Sequence, residues 1–194
     1  IKPGDVEQIS AAIWFSDLRG FTELSQVTEP RELIESLNTY FETISNPIIE
    51  NGGEILKYIG DAVLAIFPVE NQDALAAAKR AFRAAQTANE AVRLMNEKRK
   101  LANSAAIHHG IALHIGDVQY GNIGANRRLD FTVIGPAVNK ASRVESLCKE
   151  TGYDLLMSGD FAAYISGAKE IGEYQLKGIA QPEKIFCVHE RTAP

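Results

Sequence analysis

Residues 51–67 read NGGEILKYIGDAVLAIF, and this stretch decides the fold. Asn51-Gly52-Gly53 ends the helix that precedes it, because glycine readily leaves a helix through a left-handed turn. Glu54–Ile59 and Ala62–Phe67 are apolar runs of strand length. Gly60-Asp61 between them has the length and chemistry of a two-residue hairpin.

Outward on the N-terminal side, Leu33, Leu37, Tyr40, Phe41, Ile44 and Ile48 repeat at helical spacing. Thr28 is the expected cap of that helix, with Pro30 in its first turn. Before it, Ala11–Phe15 is a short apolar run that reads as a buried strand. On the C-terminal side, an alanine-rich helix is expected from about Gln72 to Leu101. A strand over Ala106–Ile115, a turn at Gly116-Asp117 and a strand near Val118–Asn122 follow. A strand over Leu129–Ile134 and a helix over Ala137–Lys149 come next, and short strands near Leu155–Met157, Ile171–Leu176 and Ile185–His189 finish the chain. The order β-α-β-β-α-β predicts the α+β class, a ferredoxin-like βαββαβ core with a C-terminal αβ extension. No repeat, low-complexity tract or linker interrupts residues 1–194, which predicts one domain.

At 194 residues the chain can bury a sizeable core. Its net charge of −5 supplies no overall positive field for nucleic acid or an anionic membrane. An anionic substrate therefore needs metals or a few placed Lys and Arg. Cys148 and Cys187 lie in apolar periodic stretches without metal-ligand spacing, as core thiols of a reducing, cytoplasmic compartment do. No apolar run approaches the ~20 residues of a membrane span. The chain opens at Ile1, which fits a piece of a longer protein whose upstream regulatory domain and any membrane attachment lie elsewhere.

Three segments carry chemistry. Phe15-Ser16-Asp17-Leu18-Arg19-Gly20-Phe21-Thr22 puts a carboxylate at the end of a buried strand, before a glycine turn whose backbone N–H groups suit phosphate oxygens. Lys57-Tyr58-Ile59-Gly60-Asp61 puts a second carboxylate at a hairpin tip. In a ferredoxin-like core the first strand lies beside the hairpin, so Asp17 and Asp61 meet at one end of the sheet. There they repel unless a cation sits between them, and Mg²⁺, an oxygen-seeking ion that bridges to phosphates, suits that place. The third segment, Phe131–Arg143, places Asn139 and Arg143 four apart on one helix face. Arginine can stabilise charge on a transferring phosphoryl group and asparagine can orient an oxygen. Each segment alone has an ordinary reading: turn aspartates, and solvated helix surface. His108, His109 and His114 lack a completing carboxylate or cysteine and read as core or surface residues.

Taken together, the three segments and the later Leu176-Lys177-Gly178 resemble the class III nucleotidyl cyclases, from about Ile9 to Val188. The resemblance implies two Mg²⁺ or Mn²⁺ ions per active site, held by Asp17, Asp61 and the backbone carbonyl of Leu18. Gly20, Phe21 and Thr22 would line the phosphates. The ribose 3′-hydroxyl would attack the α-phosphorus of ATP, leaving 3′,5′-cyclic AMP and pyrophosphate. Asn139 would orient the ribose, Arg143 would stabilise the transition state, and Lys177 would contact the terminal phosphates. Lys57 and Thr132 correspond to the base-reading pair. An ammonium donates to adenine N1 and a hydroxyl accepts from the exocyclic amine, whereas guanine would set its N1–H against Lys57. Guanylate cyclases of the family typically carry Glu and Cys at these places, so the resemblance favours ATP.

The resemblance also implies a homodimer with two composite sites, the aspartates coming from one subunit and the remaining groups from the other. Thr132 departs from the aspartate of the best-known adenylate cyclases and looks like a bacterial subgroup with threonine there. Pro136 stands where many members have Asn or Asp. Gly110 stands where several have a phosphate-binding arginine, a role open to Arg127 or Arg128. The competing readings are a catalytically weak, nucleotide-binding regulatory module, a guanylate cyclase, and another ferredoxin-like palm enzyme such as a diguanylate cyclase. The Tyr-Ile-Gly-Asp-Ala hairpin does not resemble the diguanylate cyclase motif, and the acidic balance argues against a nucleic-acid template.

Overall fold

The Gly60-Asp61 turn joins β2 (Glu54–Ile59) to β3 (Ala62–Pro68), and this hairpin forms one edge of a mixed sheet. A computed structural model describes residues 6–125 and 128–188. Around the hairpin lie β1 (Val6–Leu18), α1 (Phe21–Val27), α2 (Pro30–Glu50), α3 (Ala74–Leu101) and β4 (His109–Ala125). The C-terminal extension adds β5 (Arg128–Ile134), α4 (Pro136–Thr151), β6 (Leu155–Ser158), α5 (Gly159–Ala162), β7 (Lys169–Tyr174) and β8 (Glu183–Cys187). Strands run in the order β2-β3-β1-β4-β6-β8-β7, with β5 paired to β4. The first four are the antiparallel ferredoxin-like set, and only the β4–β6 pairing is parallel.

Period-two alternation sorts the core into layers. On β1, Ala12 and Trp14 face α2 and α3 together with Tyr40, Ile44 and Phe67. Ala11 and Ile13 face the other way, towards Ala137 and Ala141 of α4. The buried stripe of α3 is almost all alanine, from Ala77 to Ala88, so its backbone lies close against the sheet. Asp73 caps that helix by accepting from Ala76 N–H at 2.8 Å.

α4 lies along β4 with glycines beneath both of its ends. A Cβ on Gly116 would sit 3.0 Å from the Cβ of Ala137 in the first turn. One on Gly110 would sit 2.6 Å from the Cβ of Cys148 and 2.7 Å from Oε1 of Glu145, near the last turn. Gly116 is therefore a seat for a helix and not the corner of a hairpin. The expected turn at Gly116-Asp117 is absent: β4 pairs with β1 without interruption from His109 to Gly121, and with β5 from Gln119 onward. An unbroken ladder on both sides outweighs the local turn preference of Gly-Asp.

Other expectations shift at their edges. α2 is capped at Glu29 without a side-chain bond, so Thr28 is not the cap, and Pro30 is its first residue. β4 begins at His109 rather than Ala106, because Asn96 takes both the N–H and the carbonyl of Ile107 at 2.8 Å. β7 begins at Lys169 and ends at Tyr174, earlier than the apolar pattern suggests. His189 lies outside the described residues.

Candidate active site

Asp17, the next-to-last residue of β1, lies opposite Gly110 of β4, one residue beyond the Ser16–Val63 pairing with β3. That register sets it beside the β2–β3 tip, where Asp61 sits. The two carboxyl groups are close enough to share a hydrogen bond. Burial, then the hydrogen bond and the charge of Asp61, push Asp17 up to about 7, against the Leu18 N–H that donates to Oδ1 at 2.9 Å. A carboxyl pair that holds a proton in common is a site a divalent cation can take over, since the cation answers both charges at once. These residues fit such an ion.

Glu145 is a third acid near this pair. It lies on the inward side of α4, buried over Gly110, and is pushed up to about 8 by burial, with Asp17 and Asp61 adding repulsion and Arg19 opposing it. Arg19 is itself tied to Asp154 at 3.0 Å and to the carbonyl of Tyr153. Among the described residues, no group of three or more acids, histidines and cysteines is placed to hold a metal ion. Glu145 also explains Gly110. A side chain at position 110 has no room, because α4 occupies the space above that backbone.

On the opposite face of the same strand ends, a buried hydrogen-bond chain braces the site. Trp14 Nε1 donates to Ser16 Oγ at 3.0 Å, and Ser16 also bonds the Tyr40 hydroxyl. Tyr40 meets His109 Nδ1 at 3.2 Å, and His109 Nε2 meets Asn89 Oδ1 at 2.8 Å. Burial pushes His109 down to about 4, so it is neutral at pH 7. The assignment that satisfies every group has Tyr40 donating to Nδ1 and Nε2–H donating to Asn89. His114 is likewise buried and neutral, bonded through Nδ1 to Ser158 Oγ at 2.7 Å. Burial also raises both thiols, and Cys148 and Cys187 are free and buried.

The remaining candidates fall in two places. Lys57 is half-buried on β2 just past a bulge, and Thr132 is buried on β5 opposite Gly121. β2 and β5 lie against one another without pairing, so the base-reading candidates sit on adjacent strands. Asn139 and Arg143 are exposed on the outer face of α4. Lys177 is exposed beside Leu176, which is buried against Val144, Leu147 and Cys148. That packing ties the residue before Lys177 to the core beneath α4. Gly20 adopts a left-handed φ of 69° and α1 starts at Phe21, so the first N–H groups, Phe21 and Thr22 among them, lack intrahelical acceptors. Arg127 lies outside the described residues.

The model of the adenylate and guanylate cyclase catalytic domain matches residues 5–190. The chain belongs to that family. An adenylate cyclase of Anabaena cylindrica is 38% identical to it over 81% of this chain and 31% of its own length. A terminal-differentiation-specific adenylate cyclase of Dictyostelium discoideum is 36% identical over 76% of this chain and 7% of its own. The chain thus spans about a third or less of these cyclases. The crystal structure of the adenylyl cyclase CyaB from P. aeruginosa superposes with a TM-score of 0.87 at 27% identity, covering 97% of both chains. A guanylyl cyclase superposes at 0.82 and 28% identity, covering 97% of this chain and 95% of its own. The cyclase fold is therefore shared by enzymes named for either purine, and the fold does not choose the base.

Sequence reasoning missed Glu145, Arg19–Asp154 and the Tyr40–His109–Asn89 chain. Glu145 carried a signal: it falls inside the apolar stripe of Ala141, Val144 and Cys148, where an acid needs a reason. The other two join residues far apart in sequence and left no local mark.

Proposed function

We propose that this chain is an adenylate cyclase domain that converts ATP to 3′,5′-cyclic AMP and pyrophosphate, working as a homodimer with two composite sites. The contact between Asp17 and Asp61 carries the reading, since two acids forced together at a strand end are costly without a cation to hold. When bound there, a pair of Mg²⁺ or Mn²⁺ ions supplies charge neutralisation to the triphosphate and lowers the pKa of the ribose 3′-hydroxyl. Asp17, Asp61 and the carbonyl of Leu18 would hold the ions.

The chain's other residues bind and orient. Lys57 donates to adenine N1, and Thr132, buried and walled by β4, accepts from the exocyclic amine. Asn139 fixes the ribose. Arg143 meets the charge that builds on the α-phosphate, and Lys177 holds the terminal phosphates. The N–H groups at Gly20, Phe21 and Thr22 receive phosphate oxygens. Arg143 and Lys177 stand exposed, which leaves both cations open to the site of a partner subunit. Similarity to enzymes named adenylate cyclase and the Lys57–Thr132 pair both favour ATP over GTP. An upstream regulatory domain fits relatives several times longer than this chain.

The test is cyclic nucleotide formation from ATP and from GTP, each with Mg²⁺ and with Mn²⁺, by the purified chain. Cyclic AMP from ATP in preference to cyclic GMP from GTP is expected. No product from ATP with either metal, in a folded dimer, overturns the reading.

A further inference from the structure

Lys140 stands between the two exposed residues of α4 just described, one position after Asn139 and three before Arg143, but its side chain goes inward. Its ammonium lies 2.6 Å from Oε1 of Glu183 and 3.7 Å from Oδ2 of Asp160. Lys140 and Glu183 are only about a fifth exposed (20% and 19%), so water screens this pair poorly. Glu183 opens β8, and the segment between Tyr174 and Glu183 is the connection that carries Lys177.

That connection is fastened to α4 at both ends. At its start, Leu176 is buried against Val144 and Leu147. Directly after Lys177, Gly178 turns with a φ of 81° and Ile179 N–H closes back on the Leu176 carbonyl at 3.0 Å. At its end, Glu183 is held by Lys140. Among the described residues, the other acid recorded on Lys140 is Asp160, which is more exposed and at longer range.

We propose that the Lys140–Glu183 bridge is a positioning clamp that sets the distance between Lys177 and the Asn139–Arg143 face of α4, and thereby the affinity of the site for the polyphosphate end of its substrate. Lys140 and Glu183 touch no substrate in this assignment. They act through Lys177, and the inference rests on the reading of Lys177 as a phosphate contact.

The experiment uses steady-state kinetics on the purified dimer, with pyrophosphate as an inhibitor and adenosine as a competitor that lacks phosphates. Glu183→Gln and Lys140→Met should each raise the KM for ATP and the inhibition constant of pyrophosphate about ten-fold, while kcat stays within about two-fold. Adenosine inhibition should not change. Lys140→Arg should restore both constants, because a guanidinium can span the same acids. Thermal unfolding of each variant is measured alongside, since a purely structural bridge would lower stability without singling out phosphate-bearing ligands. Lys177→Ala is the reference. If it weakens pyrophosphate inhibition while Glu183→Gln and Lys140→Met do not, the clamp is wrong and the phosphate reading of Lys177 stands. If Lys177→Ala itself leaves pyrophosphate inhibition unchanged, the phosphate reading falls and the clamp with it. Equal loss of adenosine and pyrophosphate binding also overturns it.

Discussion

The Asp17–Asp61 end of the sheet and the outer face of α4 are built on opposite principles. At the first, two carboxyls are crowded and half-buried, Asp17 and the neighbouring Glu145 are pushed upward, and a buried hydrogen-bond chain lies behind the strand. At the second, Asn139, Arg143 and Lys177 stand exposed on a well-packed support. An acid can be stored against other acids if a proton fills the gap, and in the proposed function a cation takes that proton's place. Exposed cations are stored in water and become effective only when something dry and anionic covers them. Under the proposed function the contrast is between two half-sites of one chain, one that takes cations and one that faces the anionic site of a partner subunit.

The largest effect should come from emptying the first region. Asp61→Ala or Asp17→Ala removes a charge placed for cation binding, a loss of about 10²–10³ in turnover. Circular dichroism should show the fold intact, since neither residue belongs to the apolar core. Near-normal activity in folded Asp61→Ala would erase the distinction between the two regions.

Mixing asks whether the halves meet across subunits. Asp17→Ala and Arg143→Ala are each expected to be nearly inactive alone. In a mixed dimer one composite site carries both defects and the other carries none. With free exchange about half the dimers are mixed, each with one good site of two, so activity should return to about a quarter of wild type. Silence in the mixture, once exchange is shown by tagged subunits, would place each site within one chain.

A smaller change is expected from exchanging the base pair. Lys57→Glu with Thr132→Cys reverses the donor pattern, and each mismatched polar group is worth about 1–3 kcal/mol. The GTP-to-ATP preference should rise at least ten-fold, with poor absolute turnover because the walls still fit adenine. An unmoved ratio would detach these two positions from the purine.

The smallest effect is on stability. Asp17 holds its proton more tightly folded, to about 7, than at its ordinary value of 3.8. Between those values the folded state binds more protons than the unfolded one, so stability falls as pH rises. Glu145 acts in the same direction, from 4.5 to about 8. Metal-free protein should therefore melt at progressively lower temperature from about pH 4 to 8. Asp17→Asn should flatten the slope and raise the melting temperature at pH 7, by a few degrees at most. An unchanged slope in Asp17→Asn would mean that the carboxyl pair is not strained without its cation.

How much of this was legible follows from where each signal resides. The hairpin at Gly60-Asp61, the α2 stop at Asn51 and the α3 span were readable because periodicity and turn chemistry are local. The meeting of Asp17 and Asp61 followed from strand order, and the register agrees. Gly116 misled because glycine serves both turns and close packing, and only α4, twenty residues later, decides which. The placement of the residue before Lys177 beneath α4 was likewise hidden, since it depends on Leu176 finding Val144 and Leu147.

Those two bare places on β4 give α4 a mechanical character. Gly110 and Gly116 are six residues apart, about 20 Å of strand, while Ala137 and Cys148 are eleven apart, about 16 Å of helix. The helix thus rests on two bearings near its ends, with Arg143 roughly midway between them. A beam supported at both ends does not rock, so the exposed outer face of α4 keeps its aim. Adding a methyl group at one bearing turns the other into a fulcrum. Gly110→Ala would tip the C-terminal end of the helix outward and Gly116→Ala the N-terminal end, swinging the side chain at the midpoint in opposite directions.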